Sequence, residues 1–272
     1  MPQSSAGCSG NIRADDRSVE KHSEVCESCV RYRTRRISER ITLMTHTIRQ
    51  ANTQKPAVSL PLNVRDCGLI DYQEALEMQH RLRDEKTKGQ IPNTVLIVEH
   101  PPAITLGARQ SANKLLIGRQ ELANRNIDVV DIRRGGGTTA HNPGQLVFYP
   151  ILDLRQLGLG INEYIRKLEA IGIELLERFG VIAERHKGAP GLWIGDKKIA
   201  SIGVRVSRFI TYHGMAINIC NDLSIFDLIV PCGLDNVRMT SVLEETSTKV
   251  SMNVARQHLA ELLIRHLSST ER

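Results

Sequence analysis

Aromatic side chains make up only 4% of the 272 residues, so any core this chain builds must be aliphatic, made of Leu, Ile, Val and Ala. Long apolar runs are missing as well. None approaches the roughly 20 residues needed to cross a bilayer, so no membrane-spanning segment is expected. The N-terminal stretch MPQSSAGCSGNIRADDRSVEKHSE lacks an apolar signal core, and its acids argue against a transit peptide. A cytoplasmic location is the expectation. Cysteine is sparse: six thiols in a chain of this length, without a signal sequence, do not form a secreted disulfide framework. The formal net charge is +6, but no basic stripe is interleaved with aromatics, so nucleic acid is not an expected partner. The phosphate-cradling pattern GxxxxGK[ST] is absent too, which excludes a P-loop enzyme.

What is present falls into two parts. Residues 1–45 are polar, rich in Ser, Arg and Glu, and show no sustained apolar periodicity; they read as a disordered extension, with Met44 as a possible second start. The pair Cys26 and Cys29 in this extension, with His22 nearby, falls short of the four ligands of a structural zinc site, and no metal is expected. Residues 46–272 carry the pattern of a folded domain. Around LIDYQEALEMQHRLRDEKTKG a helix is predicted, with Asp71 as its N-cap, Glu74 as capping-box partner and Gly89 at its end. NTVLIVEHPPAITLG reads as two strands split by Pro101 and Pro102, IDVVDI as a further strand, and QLVFYPILDL as a strand buried on both faces. INEYIRKLEAIGIELLERFG predicts a helix whose apolar face is Ile161, Ile165, Leu168, Leu175, Leu176 and Phe179. GLWIGDKKIASIGVRV predicts a hairpin turning at Gly195 and Asp196, followed by a strand in FITYHGMAINI and a closing helix in VARQHLAELLIRHL. Strands and helices mix without a regular βαβ alternation, which favours an α+β fold.

Three constellations carry chemistry. The first is Arg133-Arg134-Gly135-Gly136-Gly137-Thr138-Thr139-Ala140-His141-Asn142-Pro143-Gly144-Gln145. Three consecutive glycines are costly to order, and make sense where a backbone approaches a ligand closely or takes up positive φ. A strand pattern, not a helix, follows, so this is not a dinucleotide fingerprint; a glycine-walled pocket for an apolar or extended ligand is left. The second is Lys197-Lys198-Ile199-Ala200-Ser201-Ile202-Gly203, where adjacent lysines on a strand point to opposite faces. Periodicity leaves open which of the two points inward. The third is VPCGLD, which sets Cys232 between Pro231 and Gly233, at the edge of an element instead of inside an apolar run; Cys67 and Cys220 look like packing residues. A thiol becomes a useful nucleophile near neutral pH when a cation lowers its pKa, and a shift of about 1.5 units needs roughly 2 kcal/mol, within reach of one well-placed lysine. A Cys–Lys pair would give an acyl-accepting thiol and a proton shuttle with no metal or nucleotide.

Taken together, RGGGTTAHNPGQLVFYPILDL, GLWIGDKKIASIGVRVSRFITYHGMAINI and PCGL resemble the lipoyl(octanoyl) transferases, in order and at compatible separations over residues 60 to 260. The resemblance implies an α+β fold shared with lipoate and biotin ligases, a mixed sheet with packed helices. It implies an acyltransferase that needs no cofactor and moves an octanoyl group from octanoyl–acyl carrier protein to a lysine of lipoyl domains. Those acceptors would be the lipoyl domains of 2-oxoacid dehydrogenase complexes and the glycine cleavage H protein. Cys232 matches the nucleophile that becomes an acyl-thioester and Lys198 its proton-handling partner. Arg134, Gly135, Gly136, Gly137, Thr138, Thr139, Ala140 and His141 match the segment lining the acyl site. Ser201, Ile202, Gly203, Gly214, Met215 and Ala216 complete it. The family often reads TYHGPGQ where this chain has TAHNPGQ, so Ala140 and Asn142 are expected to alter pocket shape or donor choice. Rival readings are an ATP-dependent lipoate ligase, an amidotransferase moving octanoyl between lipoyl domains, and a binding module without catalysis.

Overall fold

The computed structural model describes residues 62–231 and 237–268. In chain order the strands are β1 Leu62–Leu69, β2 Asn93–Glu99, β3 Ala103–Leu106, β4 Asp128–Asp131, β5 Thr139–His141, β6 Gln145–Ile151, β7 Glu184–His186, β8 Ala189–Ile194, β9 Lys197–Ser207, β10 Ile210–Asn218 and β11 Arg238–Met239. The helices are α1 Tyr72–Thr87, α2 Arg119–Asn124, α3 Ile161–Glu177, α4 Val242–Thr246 and α5 Met252–Leu267. The expected α+β architecture is what these elements form. One sheet runs β1-β2-β6-β10-β9-β8-β7, with β11 laid beside the start of β9; a second runs β4-β3-β5. Among the described residues only β1–β2, β3–β4 and β9–β11 are parallel pairs.

The helix and turn signals of the sequence act as physical stops. The Asp71 carboxylate accepts hydrogen bonds from the Gln73 and Glu74 amides at 2.8 and 3.1 Å, satisfying two of the orphan donors that open α1. The β8–β9 hairpin turns at Gly195, whose φ is +56°, and the next hairpin turns at Arg208 and Phe209, both at positive φ. Pro101 and Pro102 do more than split a strand. They carry the chain from β2 in the large sheet to β3 in the small one, since proline cannot donate to a continuing ladder.

The large sheet is covered on both faces, which is why β2 and β6 are buried along their whole length. Val95 and Ile97 of β2, Leu146 and Phe148 of β6, and Met215 and Ile217 of β10 pack with Leu168, Ile171 and Leu175 of α3 and Leu259, Leu262 and Leu263 of α5. The alternate residues Leu96, Val98, Val147, Tyr149, Ile151 and Ala216 face the other way, toward Ala75 and Leu82 of α1. The predicted apolar face of α3 is rotated from expectation: Ile161 is 49% exposed and Ile165 half-buried, while Tyr164 and Ile171 are fully buried.

Candidate active site

Between the α1 face of the large sheet and strand β5 of the small one lies a cavity lined from both sheets. Its apolar wall is Val147, Ile202, Met215 and Ala216; its polar groups come from Tyr72, Arg134, Thr139, His141, Tyr149, Ser201 and His213. Of the residues expected to line the acyl site, Arg134, Gly136, Thr139, His141, Ser201, Ile202, Gly203, Gly214, Met215 and Ala216 do so.

Four expected lining residues stand behind the wall instead. Alternation along β5 turns Thr139 and His141 inward and Ala140 outward, where it is fully buried against Ile104, Ile225 and Phe226. Gly135 donates its amide to Val204 O at 3.0 Å, and Thr138 accepts from the Lys114 amide at 3.0 Å. Gly137 is pressed so closely on Ala112 that a Cβ would stand 2.2 Å from its carbonyl oxygen. Gly136 has φ +84°, so the run uses glycine both for close approach and for a left-handed backbone. Asn142 is also outside the cavity: it donates to Asp222 O at 2.7 Å and accepts from Asn221 Nδ2 at 3.0 Å. The two departures from the family pattern therefore fall in the packing behind the pocket, not on its surface.

Burial decides the protonation of the polar end. Arg134, only 7% exposed, donates through Nη2 to Thr105 Oγ1 at 2.8 Å and through Nη1 to Gly135 O at 3.0 Å. Desolvation holds three histidines neutral: His100 at about 4, His213 at about 3 with neighbouring positive charge adding to the effect, and His141 well below its ordinary value. Neutrality fixes the tautomers. His100 Nδ1 faces the Ile70 carbonyl at 2.8 Å and must donate to it, so Nε2 accepts from the Tyr149 hydroxyl at 2.7 Å. His141 Nδ1 faces Gln145 Oε1 at 2.7 Å and carries the proton, which leaves Nε2 a lone-pair acceptor on a ring lining the cavity. Tyr72 stacks on His141 with centroids 5.4 Å apart, and burial raises its phenol to about 12. His213 sits at φ +55° within β10, a strained backbone held by the hydrogen bond from its amide to Gln79 Oε1 at 2.8 Å.

Lys198 is the inward lysine of its pair. It is 2% exposed, its Nζ donates to Pro190 O at 3.1 Å, and the ammonium stands 5.0 Å from the centroid of the Trp193 ring. Lys197 turns to Glu245 of α4 in a partly buried ion pair. A register shift between Leu192 and Trp193, where β8 meets β9, sets which lysine faces inward. Lys198 does not line the cavity, but Ser201 on the same strand does. Cys232 lies outside the described residues, as do Cys8, Cys26 and Cys29 and the 1–45 extension. The chain on either side of the Cys232 segment is placed. Val230 donates its amide to Lys114 O at 3.1 Å, and Arg238 and Met239 pair in parallel with Lys197 and Lys198. Cys67 and Cys220 are half-buried packing residues whose thiols burial pushes up, opposite to what a nucleophile needs.

Residues 71–264 match the family model described as the lipoyl protein ligase A/B catalytic domain. The chain is 44% identical over 209 residues to an octanoyltransferase of Roseiflexus sp. (strain RS-1), covering 76% of this chain and 85% of that one. It belongs to the octanoyltransferase family. An octanoyltransferase of Desulfovibrio desulfuricans is 42% identical over 185 residues, spanning 68% of this chain and 78% of its own. The mitochondrial octanoyltransferase LIP2 of Arabidopsis thaliana is 40% identical over 209 residues, spanning 76% and 89%. Among solved structures, lipoate-protein ligase A bound with ATP superposes with a TM-score of 0.58 at 16% identity, over 77% of this chain and 86% of that one. LipL1 of P. falciparum in complex with lipoate gives 0.60 at 12% identity, over 76% and 62%. These two likenesses show the fold: an α+β domain of the lipoate-ligase type.

Sequence reasoning missed Tyr72, His100, Val147, Tyr149 and His213. A signal for two of them was available. In a chain with five tyrosines, Tyr149 sits inside an unbroken apolar run and Tyr72 directly after a helix N-cap, both places where a phenol needs a buried partner.

Proposed function

We propose that this protein transfers an octanoyl group from octanoyl–acyl carrier protein to a lysine of lipoyl domains through a thioester on Cys232. The observation that carries the reading is the burial of a lysine, Lys198, beside the strand into which the Cys232 segment leads. The names of the relatives supply the acyl group. In the first half-reaction the Cys232 thiolate attacks the donor's thioester carbon, the new C–S bond forms as the old one breaks, and the departing pantetheine thiolate takes a proton from the Lys198 ammonium. In the second, the acceptor lysine amine attacks the Cys232 thioester, neutral Lys198 accepts the amine's proton, and the amide forms as the thiolate leaves. Thioester exchange is nearly balanced; amide formation draws the cycle forward. The apolar wall of Val147, Ile202, Met215 and Ala216 suits an alkyl chain, while Arg134 and the neutral His141 flank the polar end.

Acceptors are the lipoyl domains of 2-oxoacid dehydrogenase complexes and the glycine cleavage H protein, and no cofactor takes part. The net charge of +6 complements an acidic carrier protein. Among the described residues no helix is long and apolar enough to cross a membrane, and we place the reaction in the cytoplasm, a point that localisation of the tagged full-length chain checks.

The test is intact mass after mixing the protein with octanoyl–acyl carrier protein and no ATP. Wild type should gain one octanoyl group, released by hydroxylamine, and Cys232→Ser should gain none as a thioester. A wild type that stays unmodified sinks the reading and brings the ligase and amidotransferase alternatives forward.

A further inference from the structure

His213 lies at the end of the cavity away from Lys198. Lys198 is the second residue of β9, and Ser201, the first residue of that strand to line the cavity, pairs with Ala216 of β10. His213 pairs with Val204, three residues farther along β9, so its level is about 10 Å beyond that of Ser201 at roughly 3.3 Å per residue. An acyl group whose carbonyl sits toward Lys198 therefore points its last carbons at His213.

That end is built for a polar group. The His213 ring lines the cavity, the residue is 2% exposed, and among the described residues its Nδ1 meets no hydrogen-bond partner. Gln79 of α1, fully buried behind it, accepts the His213 amide through Oε1 at 2.8 Å, and its own Nε2 likewise meets no partner among the described residues. A buried donor or acceptor left unmet is costly, and a terminal methyl group cannot meet one. The backbone supports the same reading. His213 holds φ +55° inside a strand, and strain of this kind collects at ligand sites. A neutral imidazole carries one N–H and one lone pair, so Nδ1 either donates or accepts. A hydroxyl does both and matches either tautomer.

We propose that His213 recognises a hydroxyl at the distal end of the acyl chain, with Gln79 as the positioning residue that holds its backbone in place, so that the cavity takes a medium-chain ω-hydroxyacyl group at least as readily as octanoyl. The proposal rests on the reading that the cavity holds the acyl chain with its carbonyl toward Lys198, and names a further substrate class for it.

Calorimetric titration of the full-length protein with octanoate, 8-hydroxyoctanoate and 2-hydroxyoctanoate tests it. An apolar end would disfavour the added hydroxyl by about 10²-fold. Wild type should instead bind 8-hydroxyoctanoate at least as tightly as octanoate, and more tightly than 2-hydroxyoctanoate, whose hydroxyl lies at the Lys198 end. His213→Leu should move the 8-hydroxyoctanoate-to-octanoate ratio about tenfold or more toward octanoate. His213→Asn, which tolerates positive φ and keeps a hydrogen-bonding side chain, should move it less. Gln79→Met should move it in the same direction as His213→Leu. Weaker or absent binding of 8-hydroxyoctanoate by wild type would overturn the proposal without need of any variant, and so would a ratio that His213→Leu leaves unchanged. Acylation of wild type by octanoyl–acyl carrier protein, run beside it, tests the transferase reading separately. An enzyme that takes up octanoyl yet prefers octanoate to the hydroxy acid keeps that reading and loses this one.

Discussion

Trp193 is the single tryptophan of the chain, and its ring stands over the Lys198 ammonium while His186 stacks on it at 4.6 Å. A cation–π contact of this kind is worth about 0.5–2 kcal/mol. It also makes the protein's intrinsic fluorescence a reporter on the candidate catalytic lysine. Lys198→Met should lower transfer by about 10²- to 10⁴-fold, the range expected for loss of a positioned acid–base group. The same substitution removes the charge facing the indole and should shift Trp193 emission. Octanoylation of wild type should move the emission as well. Transfer by Lys198→Met within about twofold of wild type would make this a structural lysine.

At the scale of elements, β5 shows how alternation sorts function from packing. Ala140, expected in the pocket, fills the opposite side of the strand against Ile225 and Phe226. Ala140→Tyr, which restores the commoner family residue, should therefore destabilise the protein by about 1–3 kcal/mol through overpacking and leave acyl chain-length preference unchanged. Urea unfolding and competition between octanoyl and longer donors check the two halves; a changed chain-length preference would put residue 140 back in the pocket. Much at this scale was legible in the sequence. The Asp71 cap, the Gly195 turn and the Pro-Pro break are local chemistry that needs no tertiary knowledge. The partition of β2 and β3 between two sheets was not legible, because pairing partners are chosen by contacts far apart in sequence. The inward lysine was hidden by a register shift against β8, which interrupts the alternation any reading of β9 depends on. Tyr72, His100 and Tyr149 stayed invisible as a group because they come from α1, the end of β2, and β6, and only the fold brings them together.

For the whole molecule, the buried histidines couple stability to pH. His100 and His213 titrate at about 4 and about 3 in the folded protein but near 6.5 when unfolded, so below that value the unfolded chain takes up protons the native state refuses. Their contribution is complete above about pH 6.5 and is lost as pH falls toward 4, at up to about 1.4 kcal/mol per pH unit for each histidine. The urea midpoint should drop between about pH 7 and about pH 5, and His100→Gln should drop less than wild type. Equal drops would remove His100 from the account. Cys232→Ser, Lys198→Met and the pH series all bear on a protein whose fold is shared with ATP-using ligases, so its independence of ATP is the claim to test most directly. Octanoyl-enzyme, freed of donor and nucleotide, would be mixed with a lipoyl domain and the acyl group followed by mass. Stoichiometric passage to one lysine of the domain, with Cys232 returned to the free thiol, is the predicted result. Retention of the acyl group on the enzyme, with modification of the domain appearing only when ATP and free octanoate are added, would contradict it.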